Sequence, residues 1–248
     1  MTSAIEWVEA EARVDGAVER AFTVNRNGDA ISGVFWRPES STGPAPLVLM
    51  GHGGGGHKRN ERMVALGRMC ASDYGWNAVS MDGLAHGDRG PVTNATDPAY
   101  REMWARENPV QDMIDDWVAV LDAATAYDLV DPARIGYWGV SMGTMFGLPF
   151  VASEARVKVA VLGKAGFTGS SADRSGVAPY FERYAPQISQ PLLFSIQWDD
   201  ERFERNGQLD LYDRLGSKDK RLHAYPGLHA DNGRESFVFH AEFLKRYL

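Results

Sequence analysis

The chain has 248 residues, of which 44% are hydrophobic and 24% are charged, and its formal net charge at pH 7 is -7. This composition excludes an intrinsically disordered chain, and the length is ordinary for one α/β domain. The acidic balance and the lack of a Lys/Arg-rich block argue against a nucleic-acid-binding surface, and no uninterrupted apolar run approaches the roughly 18 residues of a membrane-spanning helix.

The N-terminal segment and the single cysteine bear on the compartment. Residues 1–11 contain Glu6, Glu9 and Glu11 and lack the basic start and apolar run of a secretory signal. Cys70 is the only cysteine in the sequence, so no internal disulfide can form and no oxidising compartment is needed. We therefore expect a cytoplasmic protein.

Strand and helix patterns alternate along most of the chain. The first two strands are predicted over 18–25 and 31–36, and between them lie Asn27 and Gly28, a pair typical of a two-residue hairpin turn. We therefore expect the sheet to begin with an antiparallel hairpin.

From about residue 45 onward, short apolar strands alternate with helices of three- and four-residue apolar spacing, which predicts parallel strands joined by crossover helices. Further strands are predicted over 47–50, 78–81, 134–138, 157–162, 191–196 and 221–225. Helices are predicted over 60–72, 109–127, 142–152, 207–215 and 235–248.

Two segments, 87–108 and 164–190, interrupt this alternation. Each follows the carboxyl end of a predicted strand and contains turn-forming and aromatic residues. Loops of this length in a compact domain are usually lids or binding loops, and open α/β sheets bind ligands at the carboxyl ends of their strands. We expect both segments to be lid-like insertions into a single domain that spans 1–248.

The most specific motif is the sequence Gly-Val-Ser-Met-Gly at 139–143, between a predicted strand and an apolar helix. A serine at this place sits on a tight strand-to-helix turn, and Gly139 and Gly143 are needed because side chains would clash there. Ser141 is therefore the candidate nucleophile. The N–H group of Met142, at the helix start, would face an oxyanion that forms beside it. The structural alternative is that Ser141 only caps the helix.

The residues around this motif resemble a known family. The run Asp-Pro-Ala-Arg-Ile-Gly at 131–136, leading into 139–143, is similar to the α/β-hydrolase superfamily, and most of all to its dienelactone hydrolase-like and acyl-peptidase-like esterase branches. The similarity covers nearly the whole chain from Leu47 onward. It implies a three-layer α/β sandwich with a mostly parallel sheet and helices on both faces. Thr144 departs from the glycine of many relatives, which predicts a small change in packing without loss of the chemistry.

A glycine-rich segment, Gly-His-Gly-Gly-Gly-Gly at 51–56, follows the strand predicted over 47–50. It resembles the family's His-Gly loop, which supplies the second N–H group of an oxyanion hole. By position, the resemblance assigns that donor to Gly54 or, as the alternative, to Gly55. Glycines allow the backbone to approach a substrate oxygen closely, and loss of one such donor typically reduces turnover about 10²- to 10³-fold.

Two phosphate-binding alternatives fit the same glycines less well. Gly51, Gly53 and Gly56 match the spacing of a dinucleotide-binding fingerprint. That fingerprint usually opens a fold at its first strand, whereas two strands are predicted before this one, and it leaves Ser141 unexplained. A P-loop requires a lysine directly after its last glycine, and the lysine here, Lys58, is displaced from that position. We therefore expect no nucleotide and no other cofactor.

A serine nucleophile needs a general base, and in this fold the chain order is serine, then acid, then histidine. Three histidines, His223, His229 and His240, follow the acidic cluster near residue 200. His229 is the candidate base, because 225–229 resembles the family's loop between the last strand and the last helix. His223 would lie inside the last strand as a structural residue, and His240 falls in the middle of a helix.

The orienting carboxylate is expected from the acidic run at 199–201, just past the strand predicted over 191–196. Relatives tend to show Gly-x-x-Asp followed three residues later by an apolar residue, and Asp200 precedes Phe203 by three. Asp200 is therefore the candidate acid. Gln197 replaces the glycine of that pattern, so Asp199 stays open as the alternative and Glu201 as a more distant one.

Further histidines and aromatic residues are weaker candidates. His86, on the turn after a predicted strand, is a candidate for substrate contact, and its alternative is a loop-stabilising role. Trp104 and Tyr180 lie in the two lid-like segments, where they would either line a substrate pocket or pack the lids. His52, His57 and His86 lack the paired spacing of metal ligands, so we expect no metal.

Together these features predict a cofactor-free serine hydrolase that cleaves a carboxylic ester, thioester or lactone through an acyl-enzyme on Ser141. The expected partner is a small or medium-sized ester-type substrate, with no nucleic acid and no membrane, and homo-oligomer formation stays open. Two alternatives remain: an acyltransferase that uses the same triad, and a non-catalytic binding module on the same fold. Activity should rise with pH as His229 loses its proton.

Overall fold

The computed structural model describes residues 4–248, and the first three residues of the N-terminal segment, for which no secretory signal is expected, lie outside the described part of the chain. Ten strands in the described residues form one sheet. They are β1 (Glu6–Trp7), β2 (Ala12–Val14), β3 (Ala17–Arg26), β4 (Asp29–Pro38), β5 (Ala45–Gly51), β6 (Asn77–Met81), β7 (Val130–Gly139), β8 (Val157–Gly163), β9 (Leu192–Gln197) and β10 (Lys220–Tyr225). Their order across the sheet is β1-β3-β4-β6-β5-β7-β8-β9-β10, and β2 pairs with β3.

The pairing changes from antiparallel to parallel across the sheet. β3 and β4 form a hairpin closed by Asn27 and Gly28, whose φ angles of 54° and 96° are both positive, as an Asn-Gly hairpin turn requires. β4 is also antiparallel to β6, whereas the strands from β6 across to β10 pair in parallel. The predicted hairpin and the mostly parallel sheet are both confirmed.

Helices cover both faces of this sheet. They are α1 (Glu61–Tyr74), α2 (Pro98–Trp104), α3 (Pro109–Thr125), α4 (Met142–Ser153), α5 (Ser170–Ser175), α6 (Ala178–Tyr184), α7 (Arg205–Arg214) and α8 (Arg234–Leu244). On one face α1 and α8 pack over Met50 and Trp138, and on the other face α3 and α4 pack over Leu49 and Tyr137. Because successive strand residues point to opposite faces, the central strands contribute to both layers. Within residues 4–248, none of the helices has both the length and the apolar character to cross a membrane.

Helix α1 shows how local sequence positions an element beside the glycine-rich loop. Asn60 caps its start, because the side-chain oxygen accepts a hydrogen bond from the Met63 N–H (3.0 Å). Met63, Leu66 and Cys70 are buried at helical spacing against the sheet. Gly75 ends the helix in the left-handed conformation, with φ of 69°. Because α1 follows the glycine-rich loop at the end of β5, its first turn lies at the carboxyl edge of the sheet, where Glu61 and Arg62 line a cavity.

Several boundaries expected from the sequence are wrong. The short strands β1 and β2, of two and three residues, precede the hairpin, and they are too brief to give a recognisable alternation. The hairpin therefore does not begin the sheet. α8 ends at Leu244 instead of 248, because the last residues form a turn in which Tyr247 N–H bonds back to the Leu244 carbonyl (3.0 Å). The segments 87–108 and 164–190 are not plain loops, since they contain α2, α5 and α6.

Candidate active site

Ser141 occupies a strained turn between β7 and α4. Its φ of 60° and ψ of -124° form a combination that residues with side chains rarely adopt. The turn is held from the neighbouring strand, because the Ser141 N–H donates to the carbonyl of Gly163 at the end of β8 (2.9 Å). Ser141 also lines a cavity at the carboxyl edge of the sheet. A strained serine at this edge is the geometry expected from the motif at 139–143.

Close packing explains the two glycines of this turn. A Cβ atom at Gly143 would lie 2.4 Å from the carbonyl oxygen of Gly51 on β5, and one at Gly139 would lie 2.7 Å from the carbonyl oxygen of Gly143. Both distances are shorter than a normal carbon–oxygen contact, so a larger residue would have to move the backbone. The glycine-rich loop after β5 and the serine turn after β7 are therefore held against each other.

Thr144, the departure from the glycine of many relatives, ties the serine turn to β8. Its buried hydroxyl accepts a hydrogen bond from the Gly163 N–H (2.7 Å). The same hydroxyl lies 2.8 Å from the Gly139 carbonyl oxygen and 2.7 Å from that of Gly163, and its single proton goes to one of them. The side chain thus forms a polar link directly beneath Ser141.

His229 lies beside Ser141, on the loop between β10 and α8. Its Nε2 is 2.9 Å from Ser141 Oγ, and its Nδ1 is 2.8 Å from Asp200 Oδ2. A carboxylate can only accept, so Nδ1 carries the proton and Nε2 is free to accept the proton of the serine hydroxyl. Three residues that are far apart in the chain are thus joined by one continuous series of hydrogen bonds.

The side chain of Asp200 is buried and is held in its ionised form. Burial opposes ionisation, but hydrogen bonds from His229 and from the backbone N–H groups of Phe203 and Arg202 outweigh it and lower the pKa of Asp200. The two backbone bonds reach Asp200 Oδ1 at 3.0 and 2.9 Å. A charged carboxylate against Nδ1 stabilises a protonated imidazole on His229.

The neighbouring acids contact other groups. Asp199 is exposed, and its carboxylate lies 3.7 Å from the guanidinium of Arg205. Glu201 accepts a hydrogen bond from the backbone N–H of His229 (2.8 Å), so it anchors the histidine through the main chain. Gln197, in the place of the relatives' glycine, ends β9 and donates to a carbonyl of the loop that carries His229 (3.1 Å). Of the three acids proposed from the sequence, Asp200 is the one that contacts the imidazole.

Lys164, which the sequence motifs do not single out, holds the histidine loop from the opposite side. It follows β8 directly and is 2% exposed. Its ammonium donates to the carbonyl oxygens of His229 (2.8 Å) and Asp231 (3.0 Å) and to Oδ1 of Asn232 (2.7 Å). The signal that could have identified it is its position, because the residue after a parallel strand lies at the ligand-binding edge of the sheet.

The glycine-rich loop offers a backbone donor near Ser141. His52 Nε2 accepts the Gly83 N–H (2.9 Å), so its Nδ1 carries the proton and donates to the Gly53 carbonyl (2.8 Å). The C=O and N–H of a trans peptide point in opposite directions, so this bond turns the Gly54 N–H away from His52. In residues 4–248, neither this N–H nor that of Met142 has a hydrogen-bond partner.

The cavity beside Ser141 and His229 has a volume of about 350 Å³. Glycines 53–56 form one part of its wall, and the first turn of α1 forms another. Val140 and Ala230 are the apolar side chains among the described residues that line it. Apart from the glycines, the other side chains that line it are polar or charged, so the cavity is less apolar than the pockets that bind small molecules in many proteins.

The three weaker candidates for substrate contact lie elsewhere in the described structure. His86 is fully buried behind the glycine-rich loop, with Nε2 3.2 Å from the Gly54 carbonyl oxygen. Trp104 stacks on Phe146 in the interior, with ring centroids 4.4 Å apart. Tyr180 is half-buried on α6 and packs against the core. None of the three belongs to the described lining of the cavity at Ser141.

The other two late histidines occupy structural positions. His240 is buried on α8, where its Nδ1 accepts a hydrogen bond from the Trp138 indole (3.1 Å), and burial lowers the pKa of His240 to about 3. His223 lies on β10 between the rings of Tyr225 and Phe239, with centroid distances of 4.3 and 4.1 Å. Both side chains therefore pack α8 against the sheet.

The chain is similar over its whole length to solved esterase structures. A cold-adapted esterase from an Arctic intertidal metagenomic library, determined as a PEG-bound complex, is 33% identical with a TM-score of 0.86, and the match covers 98% of this chain and 100% of that one. The acetyl xylan esterase from Paenibacillus sp. R4 is 16% identical with a TM-score of 0.74, and the match covers 99% of this chain and 89% of that one, which shows a likeness of fold alone.

Among curated proteins, YtaP of Bacillus subtilis (strain 168), which is named as a hydrolase, is 27% identical over 63% of this chain. The chain spans only about half the length of the curated relatives it matches, 56% and 44% for two of them. No protein-family model matches the chain.

Proposed function

Because this chain belongs to the α/β-hydrolase family of esterases, we propose that it hydrolyses carboxylic esters through an acyl-enzyme formed on Ser141. His229 is the general base, and Asp200 orients its ring and stabilises its charged form. The observation that carries the proposal is the series of hydrogen bonds from Ser141 Oγ to His229 (2.9 Å) and from His229 to Asp200 (2.8 Å). This is the arrangement that activates a serine hydroxyl as a nucleophile.

In the first half of the reaction, Ser141 Oγ attacks the carbonyl carbon of the ester. The Ser141 proton moves to His229 Nε2 as the new carbon–oxygen bond forms, and the imidazolium is stabilised by the Asp200 carboxylate. When the tetrahedral intermediate collapses, the bond to the leaving alcohol breaks and that oxygen takes the proton from His229. The products are an alcohol and an acyl-enzyme.

In the second half, water attacks the acyl-enzyme and gives its proton to His229. Collapse of this second intermediate breaks the bond to Ser141 Oγ, which recovers the proton from His229, and the free acid leaves. In both intermediates the negative charge on the former carbonyl oxygen is held by the N–H groups of Gly54 and Met142. Two observations support this assignment. Neither N–H has a hydrogen-bond partner in residues 4–248, and Gly54 lies in the wall of the cavity.

The proposed substrates are small or medium-sized esters, thioesters or lactones, in keeping with a cavity of about 350 Å³. The segments 87–108 and 164–190 are proposed as lid-like insertions that control access to the carboxyl edge of the sheet. We place the reaction in the cytoplasm, on the ground that the single thiol, the buried Cys70, contributes no disulfide.

A fluorophosphonate probe followed by intact mass measurement tests this proposal. The wild-type chain is expected to gain the mass of one adduct, and Ser141→Ala is expected to gain none. Hydrolysis of a panel of p-nitrophenyl esters, thioesters and lactones should fall at least about 10³-fold in the same variant. Absence of a Ser141-dependent adduct would identify a binding module, and transfer of the acyl group to an added alcohol in preference to water would identify an acyltransferase.

A further inference from the structure

The cavity beside Ser141 carries more positive than negative charge. Arg62, Lys164 and Arg202 line it, and among its described lining residues Glu61 is the only acid. Glu61 is exposed. The excess of cationic side chains attracts a negatively charged group more strongly than a neutral one of the same size.

Two of the three cations already have partners. The Lys164 ammonium donates to oxygens of the histidine loop, and the Arg202 guanidinium lies 3.3 Å from the carboxylate of Glu201. Arg62 differs, because its guanidinium has neither an ion pair nor a hydrogen bond with any residue in 4–248. Its donors are therefore available to a ligand in the cavity.

The arginines on either side of Arg62 in the sequence are both paired with an acid. Arg59, just before α1, and Arg68, further along the same helix, lie 3.5 and 3.7 Å from the carboxylate of Glu19. Neither belongs to the described lining of the cavity. The fold thus pairs these two arginines with Glu19 and leaves unpaired the one that lines the cavity beside Ser141.

The unpaired charge is also partly removed from water. Burial lowers the pKa of the Arg62 guanidinium. Burial, followed by the nearby charge of Arg62, lowers the pKa of Lys164 to about 7, so the two cations are close enough to repel each other. Repulsion between two cations in a partly desolvated site destabilises the enzyme without ligand. A bound anion offsets this repulsion.

We propose that Arg62 determines substrate specificity by binding a carboxylate carried on the ester, so that the enzyme prefers acidic esters to neutral esters of the same size. This inference rests on the proposed function, because it places the carboxylate in the cavity that holds Ser141. A guanidinium presents parallel N–H donors that match the two oxygens of a carboxylate. Binding at Arg62 anchors the substrate at a second point and orients its scissile carbonyl toward Ser141.

Matched pairs of substrates test the proposal. One pair is mono-p-nitrophenyl adipate, which carries the carboxylate on the acyl side, and the same ester ending in a primary amide. The other pair is 4-carboxyphenyl acetate and 4-carbamoylphenyl acetate, which carry the corresponding groups on the leaving alcohol. The quantity to measure is the ratio of kcat/KM for the acid to kcat/KM for the amide. Because both values come from one enzyme preparation, the ratio does not depend on how much of a variant is folded.

In the wild-type enzyme this ratio is expected to exceed about 10 for at least one pair. Arg62→Met should lower that ratio about 10- to 100-fold, and Arg62→Lys, which keeps the charge but not the paired donors, should lower it less. Arg68→Met is the matched control, since it makes the same substitution on the same helix at an arginine outside the cavity, and it should keep the wild-type ratio.

Wild-type ratios near one for both pairs would overturn the proposal without any variant. So would an acid preference that Arg62→Met leaves intact; if that variant does not fold, Arg62→Gln answers the same question. Ser141-dependent hydrolysis of neutral esters with no acid preference would refute the role of Arg62 alone. If none of these esters is hydrolysed in a Ser141-dependent way, the proposed function itself fails.

Discussion

The ammonium of Lys164 lies 2.8 Å from the backbone carbonyl oxygen of His229. Glu201 is bound to the N–H of the same residue at 2.8 Å, so the main chain of the histidine is fixed on both of its polar groups. The hydrogen bonds of the ring itself go to Ser141 and Asp200. In the proposed mechanism Lys164 is therefore a positioning residue, because it would act on the reaction through the backbone of His229.

Replacing Lys164 by Met removes all three hydrogen bonds to the histidine loop while keeping a side chain of similar length. We expect kcat to fall about 10- to 100-fold with a smaller change in KM, since a displacement of about 1 Å in a catalytic group has effects of this size. Steady-state kinetics and the rate of fluorophosphonate labelling both report it. Lys158→Met is the control, because Lys158 is an exposed residue on β8, the strand that directly precedes Lys164. An unchanged kcat in the Lys164 variant would contradict a positioning role.

The lowered pKa of Lys164 also predicts how stability depends on pH. An ordinary lysine titrates near 10.5, whereas burial and the charge of Arg62 bring this group to a pKa of about 7 in the folded chain. Between these values the unfolded chain binds more protons, so the Lys164 contribution to the free energy of unfolding rises with pH, by at most about 1.4 kcal/mol per pH unit. It is smallest below about pH 7 and greatest above about pH 10.5.

Urea unfolding of the wild type and Lys164→Met at pH values between about 7 and 9 measures this contribution. Other groups titrate equally in both proteins, so the difference between their free energies of unfolding isolates Lys164. The difference should shift in favour of the wild type as pH rises. A difference that stays constant over this range would mean that the lysine titrates normally in the folded state.

A second positioning effect concerns His52 and the glycine-rich loop. Burial, reinforced by the neighbouring His86, lowers the pKa of His52 to about 4, so its ring is neutral at ordinary pH and donates through Nδ1 to the Gly53 carbonyl. His52→Ala frees the peptide that carries the Gly54 N–H. We expect kcat to fall about 10- to 100-fold, somewhat less than for outright loss of an oxyanion donor.

His57→Ala is the matched control for this loop, because His57 is exposed and follows the last glycine. Its kcat should stay within about twofold of the wild-type value. The deficit of His52→Ala should be the same at pH 6 and pH 9, since His52 is neutral throughout that range. Equal losses of kcat in the two variants would mean that any change in this loop lowers activity, and they would contradict a specific role of His52 in orienting the Gly54 N–H.

Thr144 gives a prediction about stability. Thr144→Val keeps the shape of the side chain but leaves the buried Gly163 N–H without its acceptor and removes the bond that the hydroxyl donates to a carbonyl. The variant should lose about 1–3 kcal/mol of unfolding free energy, the usual effect of an unsatisfied buried polar group. Thermal unfolding measures it, and Thr144→Ser, which retains the hydroxyl, should lose less. Equal Tm values for wild type and Thr144→Val would mean that the link contributes nothing.

The sequence predicts the parts of this molecule that depend on local constraints. The turn at Ser141 needs glycines at fixed offsets, the β3–β4 hairpin needs Asn27 and Gly28, and the chain order of the fold leaves few positions for a base such as His229. The first two features depend on a few consecutive residues, and the third depends only on the order of the motifs along the chain. The mostly parallel sheet also follows, because apolar strands and amphipathic helices alternate along the chain.

The remaining features depend on packing between distant segments. Lys164 meets His229 across the β8 and β10 ends, and no local pattern records that contact. The sequence leaves open whether Trp104 lines a pocket or packs its segment, and in the structure the buried face of α2 places it in the interior against Phe146. In the sequence Arg62 does not differ from an ordinary surface arginine in the first turn of a helix. Only the structure shows that it has no acidic partner in residues 4–248. The contacts of such residues depend on the three-dimensional arrangement of the chain, so the sequence does not predict them.

The choice of acid shows the same limit and gives the most discriminating prediction. Asp199 and Asp200 are adjacent, so a shift of one residue in the loop exchanges their positions, and sequence alone leaves both open. In the structure Asp200 contacts His229 Nδ1 at 2.8 Å, whereas the side chain of Asp199 is 61% exposed.

Asp200→Asn should therefore lower kcat about 10³- to 10⁴-fold, because an amide cannot stabilise the imidazolium and can present its N–H to Nδ1, favouring the wrong tautomer. Asp199→Asn, which makes the same chemical change one residue earlier, should stay within about twofold of wild type. Kinetics on one p-nitrophenyl ester separates the two, and a large loss in Asp199→Asn with a small one in Asp200→Asn would reverse the assignment of the acid.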